Sequence, residues 1–201
     1  MRQLQPGLWH WQAPHPEWKD GQRWGPEVSS YAMDDGTHLL LFDPLTPPSE
    51  LEHGMEARIP VVILTAPWHE RDTQSLVERF HAPVYVAEPD GPDVTWLLGD
   101  SVLESHVISA GQRLPFGIEA FAGRQSNDLV LWVESRGVLV CGDTLVDFGR
   151  GLEIHEEWLW GGVTRDQVIE AIRPLLELPV QLVLPAHGVP TDKPALVRAL
   201  T

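Results

Sequence analysis

At 201 residues, 43% of them hydrophobic, the chain can bury one sizeable core, and a single domain over residues 1–201 is the expected organisation. Its formal charge of −15 repels phosphate backbones and anionic membrane surfaces, which argues against a nucleic-acid or membrane partner. One cysteine excludes an internal disulfide, no apolar run reaches bilayer length, and the start MRQLQPGLWHW lacks the charged-then-apolar order of a signal peptide, so a cytoplasmic protein is expected.

In chain order, Leu8, His10 and Gln12 alternate with Trp9 and Trp11, which predicts a short edge strand. Pro14, Pro16 and Gly21 then enforce a loop. Trp9, Trp11, Trp18 and Trp24 are read as caps on the core, since large aromatics are mostly core, although with His10 and His15 they could line a pocket. VSSYAM and THLLLFDP flank Asp34-Asp35-Gly36, a hairpin signal in which glycine supplies the positive φ. Asp43, before Pro44, ends the second strand of that hairpin.

The run IPVVILT, from Ile59 to Thr65, is apolar without alternation and predicts a central strand covered on both faces. It turns abruptly polar at Trp68, His69, Glu70, Arg71 and Asp72, beyond a strand end, where α/β folds collect ligands. Asp72 or Thr73 can cap a helix with Leu76, Val77 and Phe80 on one face. VYVA predicts a short strand, followed by a Pro/Gly/Asp loop.

From Ser101 to Cys141 the chain reads as strands SHVIS, GIEAFAG, LVLWVES and GVLVCG, punctuated by Gly111, Gly117 and Ser135-Arg136-Gly137. Cys141, inside the last of these, is read as a small buried residue. Asp147 to Gly162 is irregular, and its HEEW lacks the second histidine of a helical zinc-protease motif. Thr164 and Gln167 form a capping box for a helix burying Val168, Ile169, Ile172, Leu175 and Leu176, which Pro174 should kink or shorten. VQLVLPAHG gives the last strand, before a short helix over Lys193 to Leu200. This order suits two packed sheets covered by helices better than one doubly wound sheet.

Three apolar strands thus deliver polar side chains: one ends before His69, VLVCGDT ends at Asp143, and QLVLPAHG ends at His187. With the GIEAFAG, LVLWVES, GVLVCGDT progression, these motifs resemble the metallo-β-lactamase superfamily over most of the chain. The resemblance implies an α+β, four-layer αβ/βα sandwich and a mostly metal-dependent hydrolase chemistry. Gly142-Asp143-Thr144 matches the bridging-aspartate motif and Ala186-His187-Gly188 the late histidine.

The family's His-x-His-x-Asp-His motif is absent. With Thr65 in register its ligand positions become Ala66, Trp68, Glu70 and Arg71; shifted by one they become Pro67, His69, Arg71 and Asp72. Arg124 stands where a third histidine is expected. Two readings follow. In one, His69, Asp143 and His187 hold a single zinc or iron ion that activates water, with Glu70 or Asp72 accepting a proton, giving a metal-dependent hydrolase. In the other, no metal is bound, and Arg71 and Arg124 supply its charge in a non-catalytic protein that binds an anionic or aromatic small ligand. The expected partner in both is a small molecule; a homodimer is expected on general grounds alone. His38, His53, His81 and His106 are read as structural or surface, and His15 and His155 as peripheral to any pocket.

Overall fold

Two sheets organise the chain, each belonging to one of two units, Met1–Ile108 and Ser109–Thr201. The computed structural model describes residues 1–88 and 105–201. The Pro/Gly/Asp loop expected after VYVA lies outside the described residues.

The first unit carries a seven-stranded sheet in sequence order, β1 (Arg2–Gln5), β2 (Leu8–Pro14), β3 (Glu27–Asp34), β4 (His38–Phe42), β5 (Ile59–Ile63), β6 (Val84–Ala87) and β7 (Ser105–Ile108). Strands β1 to β4 pair antiparallel, and β4 to β7 parallel. The Asp34-Asp35-Gly36 hairpin forms as expected, with Gly36 at φ 96° and the Asp34 and Asp35 carboxylates accepting backbone N–H groups across the turn. Strand β5 is central, as its unbroken apolar run predicts, and Val61, Val62 and Ile63 are fully buried.

The strand at Leu8 is not an edge. The short polar segment Arg2–Gln5 pairs outside it, a strand whose composition carries no β signal. Sequence reading also missed the helix α1 (Ser49–Ala57), which has no side-chain cap and a glycine at position 54. It forms because Leu51 and Met55 bury against Leu39, Leu41 and Val62, each fully buried aliphatic side chain being worth roughly 1.5–3 kcal/mol. Helix α2 (Thr73–Phe80) adds Leu76 and Val77 to the same cluster, with Trp11 buried within it and Trp9 packed against it. Asp72 precedes α2 without capping it, because its carboxylate instead accepts the N–H and hydroxyl of Thr46, both at 2.6 Å.

The second unit carries β8 (Arg113–Leu114), β9 (Ile118–Gln125), β10 (Asp128–Val133), β11 (Val138–Gly142) and β12 (Leu182–Pro185), in the order β12-β11-β10-β9-β8. Only β11 and β12 pair parallel in that sheet. Helix α3 (Arg165–Ile172) begins with the expected capping box of Thr164 and Gln167 and stops two residues before Pro174, continuing as a 3-10 turn. Helix α4 (Lys193–Ala199) is capped by Asp192, whose carboxylate accepts the Ala195 N–H at 3.0 Å. Val168, Ile169, Ile172 and Leu196 pack with Trp132, Leu139, Cys141 and Val183 in the core of this unit. Among the described residues no helix is long and apolar enough to cross a membrane.

Candidate functional site

The sequence-predicted residues fall into two groups, one in each unit. In the first unit, β5 stops at Ile63, and Thr65 follows fully buried before a 3-10 turn over Pro67–His69. Pro67 at the start of that turn pre-sets its φ and brings His69 back toward Thr65. His69 Nδ1 lies 2.9 Å from Thr65 Oγ1 and 3.1 Å from Asp43 Oδ2. Asp43 also accepts the Thr65 N–H at 2.8 Å and the Thr65 hydroxyl at 2.7 Å. Burial by itself raises the Asp43 pKa, yet the carboxyl is held below its usual value. The charge and hydrogen bond of His69, then the Arg71 guanidinium and the Thr65 N–H, outweigh burial.

Arg71 was expected to lend its charge to a ligand site. Its Nη1 donates instead to the carbonyls of Asp43 at 2.6 Å and Ser29 at 2.8 Å, tying three segments of the unit together. Asp72 is the Thr46 anchor described above. Glu70 is half-buried and its carbonyl accepts the Thr73 N–H at 2.8 Å, closing the turn into α2.

In the second unit the carboxyl ends of β11 and β12 deliver Asp143 and His187, both nearly fully buried. The ends are stitched together: Ala186 N–H donates to Gly142 O at 3.0 Å and Asp147 N–H to His187 O at 2.9 Å. Gly188, at φ 103°, is required there because a side chain would strike the Asp147 backbone. Arg124, on β9, lays its guanidinium between two buried carboxylates. Nε donates to Asp128 Oδ2 at 2.6 Å, Nη2 to Asp143 Oδ2 at 3.0 Å, and Nη1 to the Trp158 carbonyl at 2.9 Å. Thr144 joins the network, its hydroxyl donating to Asp128 Oδ2 at 3.1 Å and accepting the Arg124 N–H. His187 Nε2 is 3.5 Å from the other Asp143 oxygen. Rings surround this cluster edge to face: Trp158 lies 5.1 Å from both His155 and His187, and Phe148 5.7 Å from His187. Cys141 in β11 is fully buried, as its position suggested, and burial, with the charge of Asp128, pushes its thiol pKa up.

Sequence reasoning missed Asp43, Thr65, Asp128 and Trp158. Asp128 opens an apolar strand, where a carboxylate with no exposure signals a charged partner, and that signal was available in DLVLWV.

His69 lies in the first unit and Asp143 and His187 in the second, so the expected metal set draws on both. Among the described residues no group of three or more His, Cys, Asp or Glu side chains is arranged to hold a metal ion. Asp143 already faces a guanidinium cation.

No family model matches the sequence, and no curated protein does. Solved structures do. The B3 metallo-β-lactamase BLEG-1 is 20% identical, with 94% of this chain and 97% of that chain covered at a TM-score of 0.63. A protein crystallised in a di-iron-bound form is 23% identical, with 87% and 95% covered at 0.64. An archaeal metallo-β-lactamase superfamily protein from Sulfolobus tokodaii is 17% identical, with 96% and 84% covered at 0.68. At these identities the likeness speaks for fold, and with the two sheets and four helices described it shows that the chain has the metallo-β-lactamase fold, of class α+β.

Proposed function

We propose that the protein binds a small organic ligand without a metal ion, at the carboxyl ends of β11 and β12. The observation that carries this is Arg124 spanning Asp128 and Asp143. A carboxylate beyond a buried strand end needs a cation, and here a guanidinium supplies it through directed hydrogen bonds. The charge that would polarise a substrate or acidify a bound water is therefore spent on the protein's own carboxylates. Of the two expectations, the metal-dependent hydrolase has no assembled donor set behind it among the described residues, and the ligand-binding protein has the arginine-for-metal exchange. Arg71 belongs to the support of Asp43 in this reading, and Arg124 alone replaces metal charge.

Trp158 and Phe148 bring aromatic surface to the site and His155 and His187 polar ring edges, which suits a ligand with an apolar face and at least one hydrogen-bonding group. The test is elemental analysis of protein purified without added metal or chelator, before and after incubation with zinc or iron, together with native mass spectrometry for a co-purified small molecule. Well under one metal per chain is expected in every sample. About one per chain, lost in an Asp143→Ala, His187→Ala double variant, overturns the reading and restores the hydrolase.

A further inference from the structure

The β8 margin of the second unit's sheet holds a pocket that the site above does not use. Register places Arg113 of β8 opposite Glu119 of β9, and Glu119 opposite Trp132 of β10. Residues directly opposite one another share a face, so these three form one row across the sheet. Around that row, with Leu114, Gly117 and Glu134, lies a pocket of about 240 Å³, its open mouth included. Glu119 precedes Arg124 by five residues along β9, about 16 Å in a strand, which separates this pocket from the site at Asp143.

The lining is part aromatic and acidic on balance. Trp132, 3% exposed, supplies a buried aromatic wall. Pro115, and Phe116 at φ 71°, fix the turn that carries Gly117 into the lining. Arg113 Nη2 donates to Glu119 Oε2 at 3.0 Å, and that pair balances its own charge. The second carboxylate, on exposed Glu134, leaves the pocket one negative charge in surplus. A surplus carboxylate beside an aromatic wall suits a cation on an apolar stem, whereas an anion would meet two carboxylates. The volume lies below the roughly 300–1,000 Å³ of drug-sized sites, so only a few non-hydrogen atoms fit.

We propose that this pocket binds the ammonium or guanidinium head of a small organic cation, with Glu134 and Glu119 as its counter-charges and Trp132 as the contact for its stem. The assignment shares no residue with the metal-free site at the strand ends and does not depend on that reading.

Titration with n-butylammonium chloride at constant ionic strength, followed in 1H–15N spectra, tests it. Saturable shifts are expected at the backbone amides of Arg113, Glu119, Trp132 and Glu134, with a dissociation constant of about 1 mM, ordinary for so small a ligand. Sodium butyrate, with a similar stem and the opposite charge, should leave them unmoved. E134Q should weaken binding about threefold, and R113Q, which releases Glu119 from its own cation, should tighten it about as much. Both side chains are exposed, so the fold is expected to hold, and circular dichroism checks it. E170Q and R173Q, which make the same charge changes at an exposed pair elsewhere, should change nothing. A blocked tripeptide with lysine at its centre decides the source: tighter binding than butylammonium assigns a protein side chain, equal or weaker binding a free amine. No saturable shift with either probe, equal binding of butyrate, or R173Q acting like R113Q each overturns the proposal.

Discussion

Replacing Arg124 by methionine keeps most of the side-chain volume and removes a guanidinium shared by Asp128, which is fully buried, and Asp143, which is 6% exposed. Breaking a buried ion pair by removing one partner costs about 3–5 kcal/mol, most of it the penalty of the charge left behind. Here two carboxylates are left. The Thr144 hydroxyl still serves Asp128, and His187 lies 3.5 Å from Asp143, which soften the loss. A destabilisation of about 4 kcal/mol at pH 7 is expected from urea unfolding followed by circular dichroism. It should shrink toward pH 4, where protonation neutralises the stranded carboxyls. Adding Asp128→Asn to the variant should return about 1–2 kcal/mol, and Arg124→Lys, which keeps the charge but loses the fork, should fall between parent and methionine variant. A loss under about 1 kcal/mol at pH 7, or no recovery in the double variant, would refute the view that Arg124 neutralises this pair.

Burial, then the nearby charges of Arg2 and the amino terminus, pull the pKa of His10 from its ordinary 6.5 down to about 4. The unfolded chain then binds a proton that the folded chain refuses between those values, so stability falls as pH drops from about 6.5 to about 4. At about 1.4 kcal/mol per pH unit the loss is at most about 3.5 kcal/mol. His10→Gln, which can still reach the Ser29 hydroxyl that His10 Nε2 meets at 2.9 Å, should flatten that limb of the stability–pH curve. At Gly123 an added methyl would overlap the Thr144 hydroxyl and the Asp128 carbonyl, and Gly123→Ala should cost about 3 kcal/mol by thermal or urea unfolding. The fully buried Cys141 thiol should resist an aromatic disulfide reagent in the native protein at pH 8 and react stoichiometrically in denaturant.

The sequence by itself determined the elements whose signals are local. Unbroken apolar runs marked β5, β10 and β11; glycine after two aspartates marked the β3–β4 turn; Thr164 and Gln167 marked the start of α3, and Pro174 its end. Each of these follows from one stretch of chain and its own backbone or burial preference. The same reading placed His69, Asp143 and His187 just beyond strand ends, where the structure has them. Tertiary structure decided the rest. Strand β1 forms because β2 offers an unpaired edge, and α1 because Leu51 and Met55 find an apolar sheet face, neither of which its own sequence reveals. The role of Arg124 depended on two carboxylates, one four residues and one 19 residues further along the chain, turning inward to meet it. The split between Arg71, which supports Asp43, and Arg124, which neutralises Asp143, could not be read from either arginine. A guanidinium acts through whichever acceptors lie within about 3 Å of it, and only the folded chain fixes which those are.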